Sequence, residues 1–258
     1  MRAVVSLLLV LAVAGPAVAD DGVASTLAPT VLTVPTAWTQ PGTAIYASGD
    51  ADHRGAASAR ATLSYARLVD VDVGGDELIT TCAVCAGVGR TVTGVRQTTA
   101  GWKLSVRPWP GGAVALGVRV PFGHRDVGRA TEAFAVASAQ LGPVRLHGGA
   151  STWASAHVGA DGATIRRRPT AGVRPLAGLE WTPEIYPRTT LLADLQWLPQ
   201  LGPTVEETGP RWAFGWGVRY RAFAWNAIEL GVRHRAGDEL GGATVMVRVS
   251  ALLSARPR

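Results

Sequence analysis

Arginines spaced singly along the chain are its most prominent chemical groups. Lys103 is the only lysine, so arginine supplies nearly all the basic charge of a chain with a formal net charge of +6. A guanidinium stays charged and offers a planar fork of donors to carboxylate and phosphate groups. Basic chains can bind nucleic acid, but apart from the run Arg166–Arg168 these arginines are dispersed along the chain. Their spacing therefore predicts ion pairs or a surface that favours anions, and no nucleic-acid partner.

Residues that could carry catalysis are few. His147 and Ser151 are four residues apart on one predicted strand, and a hydrolase needs a nucleophile beside a base. Both point to the polar face of that strand, where a lipid on the opposite face does not reach them. We find no nucleotide-binding motif, and the remaining histidines lack metal-ligand spacing; they are His53, His124, His157 and His234. The sequence predicts no enzyme, no cofactor and no metal site.

The two cysteines form the motif Cys82-Ala-Val-Cys85. A redox motif of this type needs a strand-to-helix setting, which the flanking sequence does not offer. Two cysteines cannot complete a structural zinc site. In an oxidising compartment we expect a local disulfide between Cys82 and Cys85 in a loop.

The first nineteen residues have the pattern of a secretion signal. Arg2 is followed by an apolar run from Val4 to Ala14, and the small-x-small sequence Ala17-Val18-Ala19 precedes Asp20. The run is too short for a membrane-spanning helix, and no later stretch approaches ~20 apolar residues. We expect export with cleavage after Ala19, and the mature chain can cross a membrane only as a barrel.

Residues 211–221 alternate strictly between large apolar and small or charged side chains. Trp212, Phe214, Trp216, Val218 and Tyr220 fall on one face of an extended strand, because side chains in a strand alternate with period 2. Combined with an export signal, repeated alternation of this kind predicts an all-β fold. This fold is a transmembrane antiparallel up-and-down β-barrel with lipid outside and a polar lumen inside.

Clusters of Gly, Pro and Asp divide the chain into twelve candidate strands. Parity supports one strand in 91–107, because bacterial barrels have an even strand count and two strands there would give thirteen. Aromatic residues near strand ends, such as Trp109, Trp181 and Tyr186, fit membrane girdles. The predicted strands are near 43–51, 57–66, 69–81, 91–107, 112–121, 129–140, 144–158, 164–182, 188–198, 211–221, 225–235 and 243–253.

The same alternation assigns a predominantly basic set of side chains to the lumen. Rings of one charge favour the opposite ion, but arginines that pair with carboxylates would instead brace a closed interior. The predicted lining residues are Lys103, Arg107, Arg119, Arg145, Arg174, Glu180, Asp194, Arg219, Arg221, Glu229, Arg233 and Arg248.

The signal junction, the alternation of Trp212–Tyr220 and the closing strand Ala243–Leu253 resemble those of Gram-negative outer-membrane β-barrels. Such barrels usually end in an aromatic residue that the assembly machinery reads, whereas this chain ends at Arg258. The resemblance implies a signal peptide (1–19), a periplasmic segment (20–41), a barrel domain (42–254) and a C-terminal tail (255–258). It also implies contact with outer-membrane lipid and the assembly machinery, and location in the cell outer membrane.

Two functions remain open from the sequence. The first is a narrow pore or transport-associated barrel whose basic lumen favours small anionic solutes. The second is a closed barrel that serves as a structural, assembly or interaction partner and displays its loop at Pro199–Pro210. A soluble ligand-binding barrel with its apolar faces inward is a further alternative. Pairing across the barrel decides between the first two, and it depends on strand register.

Overall fold

The chain forms thirteen strand segments in one antiparallel sheet. The computed structural model describes residues 28–40, 42–53, 57–79, 94–122, 128–158, 165–168, 172–200, 209–235 and 243–255. The segments are β1 (Thr43–Asp52), β2 (Ala57–Tyr65), β3 (Val69–Ile79), β4 (Gly94–Val106), β5 (Gly112–Phe122), β6 (Gly128–Leu141), β7 (Val144–Val158), β8 (Ile165–Arg168), β9 (Arg174–Trp181), β10 (Thr189–Gln200), β11 (Gly209–Phe223), β12 (Asn226–Arg235) and β13 (Thr244–Ala255).

The sheet closes into a barrel of twelve strands. Strands adjacent in the chain pair as neighbours, including β6 with β7, and β1 pairs with β13 over ten residues, so the described strands form a closed ring. Segments β8 and β9 both pair with β7. They are two parts of one wall strand, the one expected at 164–182. The predicted up-and-down barrel of twelve strands is therefore confirmed, including the single strand in 91–107.

Short turns join the strands at one end of the barrel. The turn between β2 and β3 places Ala66 at φ 54° and Arg67 at φ 59°. Leu68 N closes it by donating to Tyr65 O at 3.0 Å. Two consecutive positive φ values are typical of the tight hairpin turns that match strand twist. Cys82 and Cys85 come between β3 and β4 in the chain and lie outside the described residues.

The outside of the barrel is apolar. In β11, Trp216 is 50% exposed while the alternate residue Arg219 is only 6% exposed, and the same alternation recurs on the other strands. Leu116, Leu230 and Val247 continue the apolar surface around the wall. No helix long and apolar enough to cross a bilayer occurs in the described part of the chain. A soluble barrel of the ligand-binding type would need the reverse arrangement, with its apolar faces inward.

Residues 28–40 lie inside the barrel. Val31, Val34, Thr36 and Ala37 are fully buried, and wall residues from opposite sides of the lumen contact this segment. The sequence analysis expected residues 20–41 in the periplasm, outside the barrel. That expectation came from the resemblance to outer-membrane barrels, and the described residues 28–40 instead lie in the lumen. Gly42, at φ 70°, lies at the turn from this segment into β1.

Candidate functional site: an occupied lumen

The segment inside the lumen is a small hairpin, which we call the plug hairpin (residues 28–40). Val31 N donates to Val34 O at 2.9 Å, and Thr36 N donates to Pro29 O at 2.9 Å. Its tip is formed by residues 31–34. Ala28 packs with Ala44 at the start of β1, so both arms of the hairpin return toward the short-turn end. The hairpin thus enters the lumen from that end and turns back within it.

The tip is held by three charged wall residues. Asp194 Oδ2 accepts from Thr33 N at 2.6 Å and from Val34 N at 3.0 Å. Arg219 Nη2 donates to Val31 O at 2.9 Å, and Arg248 Nη2 donates to Leu32 O at 2.7 Å. These bonds use backbone groups of the tip, and a buried backbone group without a partner costs about 1–3 kcal/mol. The wall therefore supplies the pairing that a neighbouring strand would otherwise give.

The arm that leads to β1 is held in the same way. Lys103 Nζ donates to Trp38 O at 2.8 Å and to Thr36 O at 3.1 Å. Ala37 N donates to Ser138 Oγ at 2.8 Å. Donors from β4 and an acceptor on β6 thus hold successive backbone groups of this arm.

Arg107 holds the last part of the arm at the short-turn rim. Its Nη2 donates to Thr39 O at 3.1 Å, and its guanidinium carbon lies 5.1 Å from the centroid of the Trp38 ring. Arg107 is itself exposed, so it contacts the plug hairpin from the rim rather than lining a channel.

Apolar contacts fit the plug hairpin to the wall. Val34 and Ala37 belong to a buried cluster with Phe134, Val136 and other inward residues of β5, β6 and β9. A Cβ at Gly178 would lie 2.8 Å from Val31 Cγ2, a distance that real Cβ contacts do not adopt. Glycine on this inward face therefore makes room for the tip.

A chain of ion pairs runs around one side of the lumen. Glu180 accepts from Arg145 at 3.3 Å and from Arg219 at 3.0 Å. Glu229 accepts from Arg219 at 2.7 Å and from Arg248 at 3.2 Å. Arg248 Nε also lies 3.5 Å from Asp50 Oδ2. Three cations and three carboxylates alternate, so this chain carries no net charge.

A second group of ion pairs lies on the other side. Lys103 Nζ lies 2.7 Å from Asp70 Oδ2. Arg119 Nη1 lies 3.1 Å from Glu132 Oε2, and its Nε lies 3.8 Å from Asp72 Oδ2. Asp72 also pairs with Arg60. This group again contains three cations and three carboxylates.

The predominance of basic charge expected in the lumen is therefore not found in these two groups. Alternation also turns Asp70 and Asp72 inward, but the sequence analysis missed Asp50 and Glu132, which form ion pairs with Arg248 and Arg119. Glu132 was recognisable from its phase in β6, which it shares with Phe134 and Val136. The apolar character of those two inward residues obscured that phase, because they pack on the plug hairpin rather than facing water.

Three other predicted lining residues belong to neither ion-pair group. Arg221 donates to Pro187 O at 3.0 Å at the short-turn rim. Arg174 lies over the Trp197 ring, 4.3 Å from its centroid, so it is not part of either ion-pair group. Arg233 lines the lumen, and its contact is with Met246 Sδ at 3.3 Å.

His147 contacts Ser138 rather than Ser151. Ser138 Oγ lies 2.8 Å from His147 Nδ1, and it also accepts a hydrogen bond from Ala37 N. Both side chains are buried beside the plug hairpin. No group of three potential metal ligands occurs among the residues described.

A cavity of about 220 Å³ lies above the tip, toward the long loops. Thr30 and Thr33 of the plug hairpin line one side of the cavity, and the wall residues Arg233, Trp153 and Gln196 line the other. The lumen is thus divided into a filled part at the short-turn end and an open vestibule beyond the tip.

No protein-family model and no curated protein matches the sequence. Several solved structures share the fold. The KdgM porin in complex with disordered oligogalacturonate has a TM-score of 0.51 at 9% identity, covering 83% of this chain and 99% of that chain. The NanC porin has a TM-score of 0.51 at 8% identity, covering 83% of this chain and 100% of that chain.

An outer membrane channel from Pseudomonas putida F1 is similar over a larger part of the chain. Its TM-score is 0.53 at 13% identity, with 92% of this chain and 100% of that chain covered. The fold is therefore that of the outer-membrane β-barrels. Within that class, this chain forms a twelve-stranded barrel with an N-terminal hairpin in its lumen.

Proposed function

We propose that the protein is an outer-membrane channel closed by its own plug hairpin and opened when that hairpin moves. The observation that carries the proposal is the burial of residues 28–40 within the barrel, where wall side chains bind their backbone. Barrels of eight strands are filled by their own side chains, whereas those of 16–18 strands leave an aqueous channel. At twelve strands, this barrel has room that the hairpin occupies.

The way in which the hairpin is held supports a movable closure. Apart from the chain connection through Gly42, it is held by side chains of the wall and not by strand pairing, since none of its residues joins the sheet. The hydrogen bonds that Asp194 accepts and those that Arg219 and Arg248 donate can be exchanged for water without opening the barrel wall. Loss of an ordered segment is a common way of switching between two states.

Location in the outer membrane is supported by the apolar outer surface of the barrel and by the fold. An exposed apolar surface of this extent marks contact with a membrane or another protein. A polar interior with an apolar exterior is the arrangement of membrane barrels. The proposed partners are outer-membrane lipid and, during insertion, the assembly machinery.

The fold neighbours support passage of solutes. Two are porins, one of them in complex with oligogalacturonate, and another is an outer membrane channel. We propose that small polar solutes pass through this barrel when the plug hairpin leaves the lumen. Because the ion-pair groups are balanced, they give the wall little preference for either sign of charge.

A closed structural barrel is the second candidate. The observation that favours it is the linkage of six strands by the ion-pair chain from Arg145 to Asp50. Such a chain would brace a wall that never opens. The two candidates differ in one respect: a structural barrel conducts no ions, whatever happens to the hairpin contacts.

Fractionation and planar-bilayer recording together test the proposal. We expect the mature protein in the outer membrane with heat-modifiable gel mobility, and brief conductance steps from the refolded protein. Recovery in the soluble periplasm without heat-modifiable mobility would contradict the location. Complete absence of conductance, also after the hairpin contacts are weakened, would leave the structural barrel as the better account.

A further inference from the structure

The vestibule above the tip contains hydrogen-bond donors without acceptors. Arg233 has no carboxylate within 4.0 Å among the described residues, and its one polar contact is a weak acceptor, Met246 Sδ. Trp153 Nε1 is buried and meets no acceptor in the same part of the structure. Both residues line the cavity of about 220 Å³. An indole N–H can only donate, and a guanidinium can only donate.

The other charged groups around the cavity are already paired. Arg119 pairs with Glu132, and Arg248 pairs with Asp50 and Glu229. Asp50 and Glu132 line the cavity, but Glu132 accepts from Arg119, while Asp50 forms an ion pair with Arg248 and accepts from Ser58 Oγ at 2.7 Å, so each offers less to a cation. The guanidinium groups of Arg119 and Arg248 are thus engaged in ion pairs, and among the described lining residues the cation outside any ion pair is Arg233, with the indole of Trp153 as a neutral donor. This combination suits an oxyanion.

We infer that the vestibule is a binding site for a small carboxylate-bearing solute, held by Arg233 and Trp153 directly above the tip of the plug hairpin. A guanidinium fork matches the geometry of a carboxylate and forms charge-assisted bonds. The volume equals that of about seven waters at roughly 30 Å³ each, which fits a short-chain acid. The inference rests on the proposed channel, because the site lies on the route that the hairpin closes.

The position of the site also places a bound solute against the plug hairpin. Thr30 and Thr33 line the same cavity, so a bound solute contacts the tip as well as the wall. A solute shifts the hairpin only if it binds more tightly to one of its two positions. A solute that contacts only Arg233 and Trp153 can therefore bind while the plug hairpin stays in the lumen.

Calorimetric titration of the full-length refolded protein tests the inference, with succinate as the probe and succinamide as its neutral counterpart at constant salt. We expect saturable binding of succinate and at least tenfold weaker binding of succinamide. Arg233→Gln should weaken succinate binding at least tenfold, and Trp153→Phe, which keeps the ring but removes the donor, about threefold. Arg221→Gln, which removes an arginine at the opposite rim, should leave the affinity unchanged.

Three results would overturn the inference: no saturable binding of succinate, equal binding of succinamide, or unchanged affinity in a folded Arg233→Gln protein. If that variant fails to show heat-modifiable mobility, Trp153→Phe decides in its place. Failure of the site is distinguishable from failure of the channel. Conductance on removal of the plug hairpin reports on the channel alone, whereas the titration requires no conductance.

Discussion

Asp194 Oδ2 lies 2.6 Å from Thr33 N and 2.8 Å from Thr33 Oγ1, so one carboxylate oxygen binds both the amide and the hydroxyl of a single residue at the plug tip. The same oxygen also accepts from Val34 N. Asp194 is 4% exposed and forms no ion pair within 4.0 Å among the described residues. Its charge is therefore balanced by donors of the hairpin, which makes it the wall residue most specific to the closed state.

Substitution Asp194→Ala should increase opening. It leaves two amides and a hydroxyl of the tip without their acceptor, at a cost of about 1–3 kcal/mol. A change of 1.4 kcal/mol is tenfold in an equilibrium, so we expect the open probability in single-channel recordings to rise about tenfold. Glu184→Ala, in the exposed turn between β9 and β10, is the matched control and should behave as the wild type. An unchanged open probability in the folded Asp194→Ala protein would contradict the role of this contact.

Gly178→Val should displace the tip without altering any charge. A Cβ at this position meets Val31 Cγ2 at 2.8 Å, and overpacking of this kind costs about 1–3 kcal/mol. We expect open probability to rise about tenfold. Gly148→Val is the control because nothing lies within 4 Å of a Cβ there. Equal behaviour of the two variants would show that the tip does not fill the space beside Gly178.

Glu229→Gln tests the balance of charge in the lumen. This substitution leaves Arg219 with Glu180 and Arg248 with Asp50, so one positive charge becomes uncompensated. Breaking a buried pair costs about 3–5 kcal/mol, and we expect a lower temperature for loss of heat-modifiable mobility. In a salt gradient the reversal potential should shift toward anions, since charge of one sign favours the opposite ion. Glu184→Gln should shift neither quantity. A folded Glu229→Gln protein with wild-type selectivity would show that Glu229 does not balance charge along the path of the ions.

The wall of the barrel could be predicted from sequence because its signal is local. Alternation with period 2 places Trp212 and Trp216 outward and Gly215 and Arg219 inward, and each strand carries its own copy of this signal. Turn residues then fixed the strand ends closely: β7 was expected at 144–158 and spans Val144–Val158. The interruption between β8 and β9 was not predicted, although the sequence between them contains Pro169, which cannot donate to a strand ladder, and Gly172, which lies at φ 81°.

The interior could be predicted only in part because its contacts are not local. Arg219 is inward by phase alone, but its partners Glu180 and Glu229 follow from register between strands. The plug hairpin has no alternation, and its bond to Asp194 spans 161 positions of the chain. Nothing in residues 28–40 alone distinguishes a segment in the periplasm from one inside the lumen.

The cysteine pair remains a prediction from sequence. We expect Cys82 and Cys85 to be bonded to each other, because the N-terminal sequence predicts export and the pair is closely spaced. Thiol labelling of the native, non-reduced protein should modify neither residue. Labelling after unfolding and reduction should modify both, which serves as the control. Ready labelling of both cysteines without reduction would disprove the bond.

Conductance of the chain lacking residues 28–40 tests the central claim most directly. The deletion removes the plug hairpin and leaves every wall strand intact, so the barrel should still show heat-modifiable mobility. Recorded beside the full-length protein in planar bilayers, it should give steady conductance in place of brief steps, with a mean current at least severalfold higher. A folded barrel that conducts no more than the full-length protein after this deletion would contradict closure of the lumen by the hairpin.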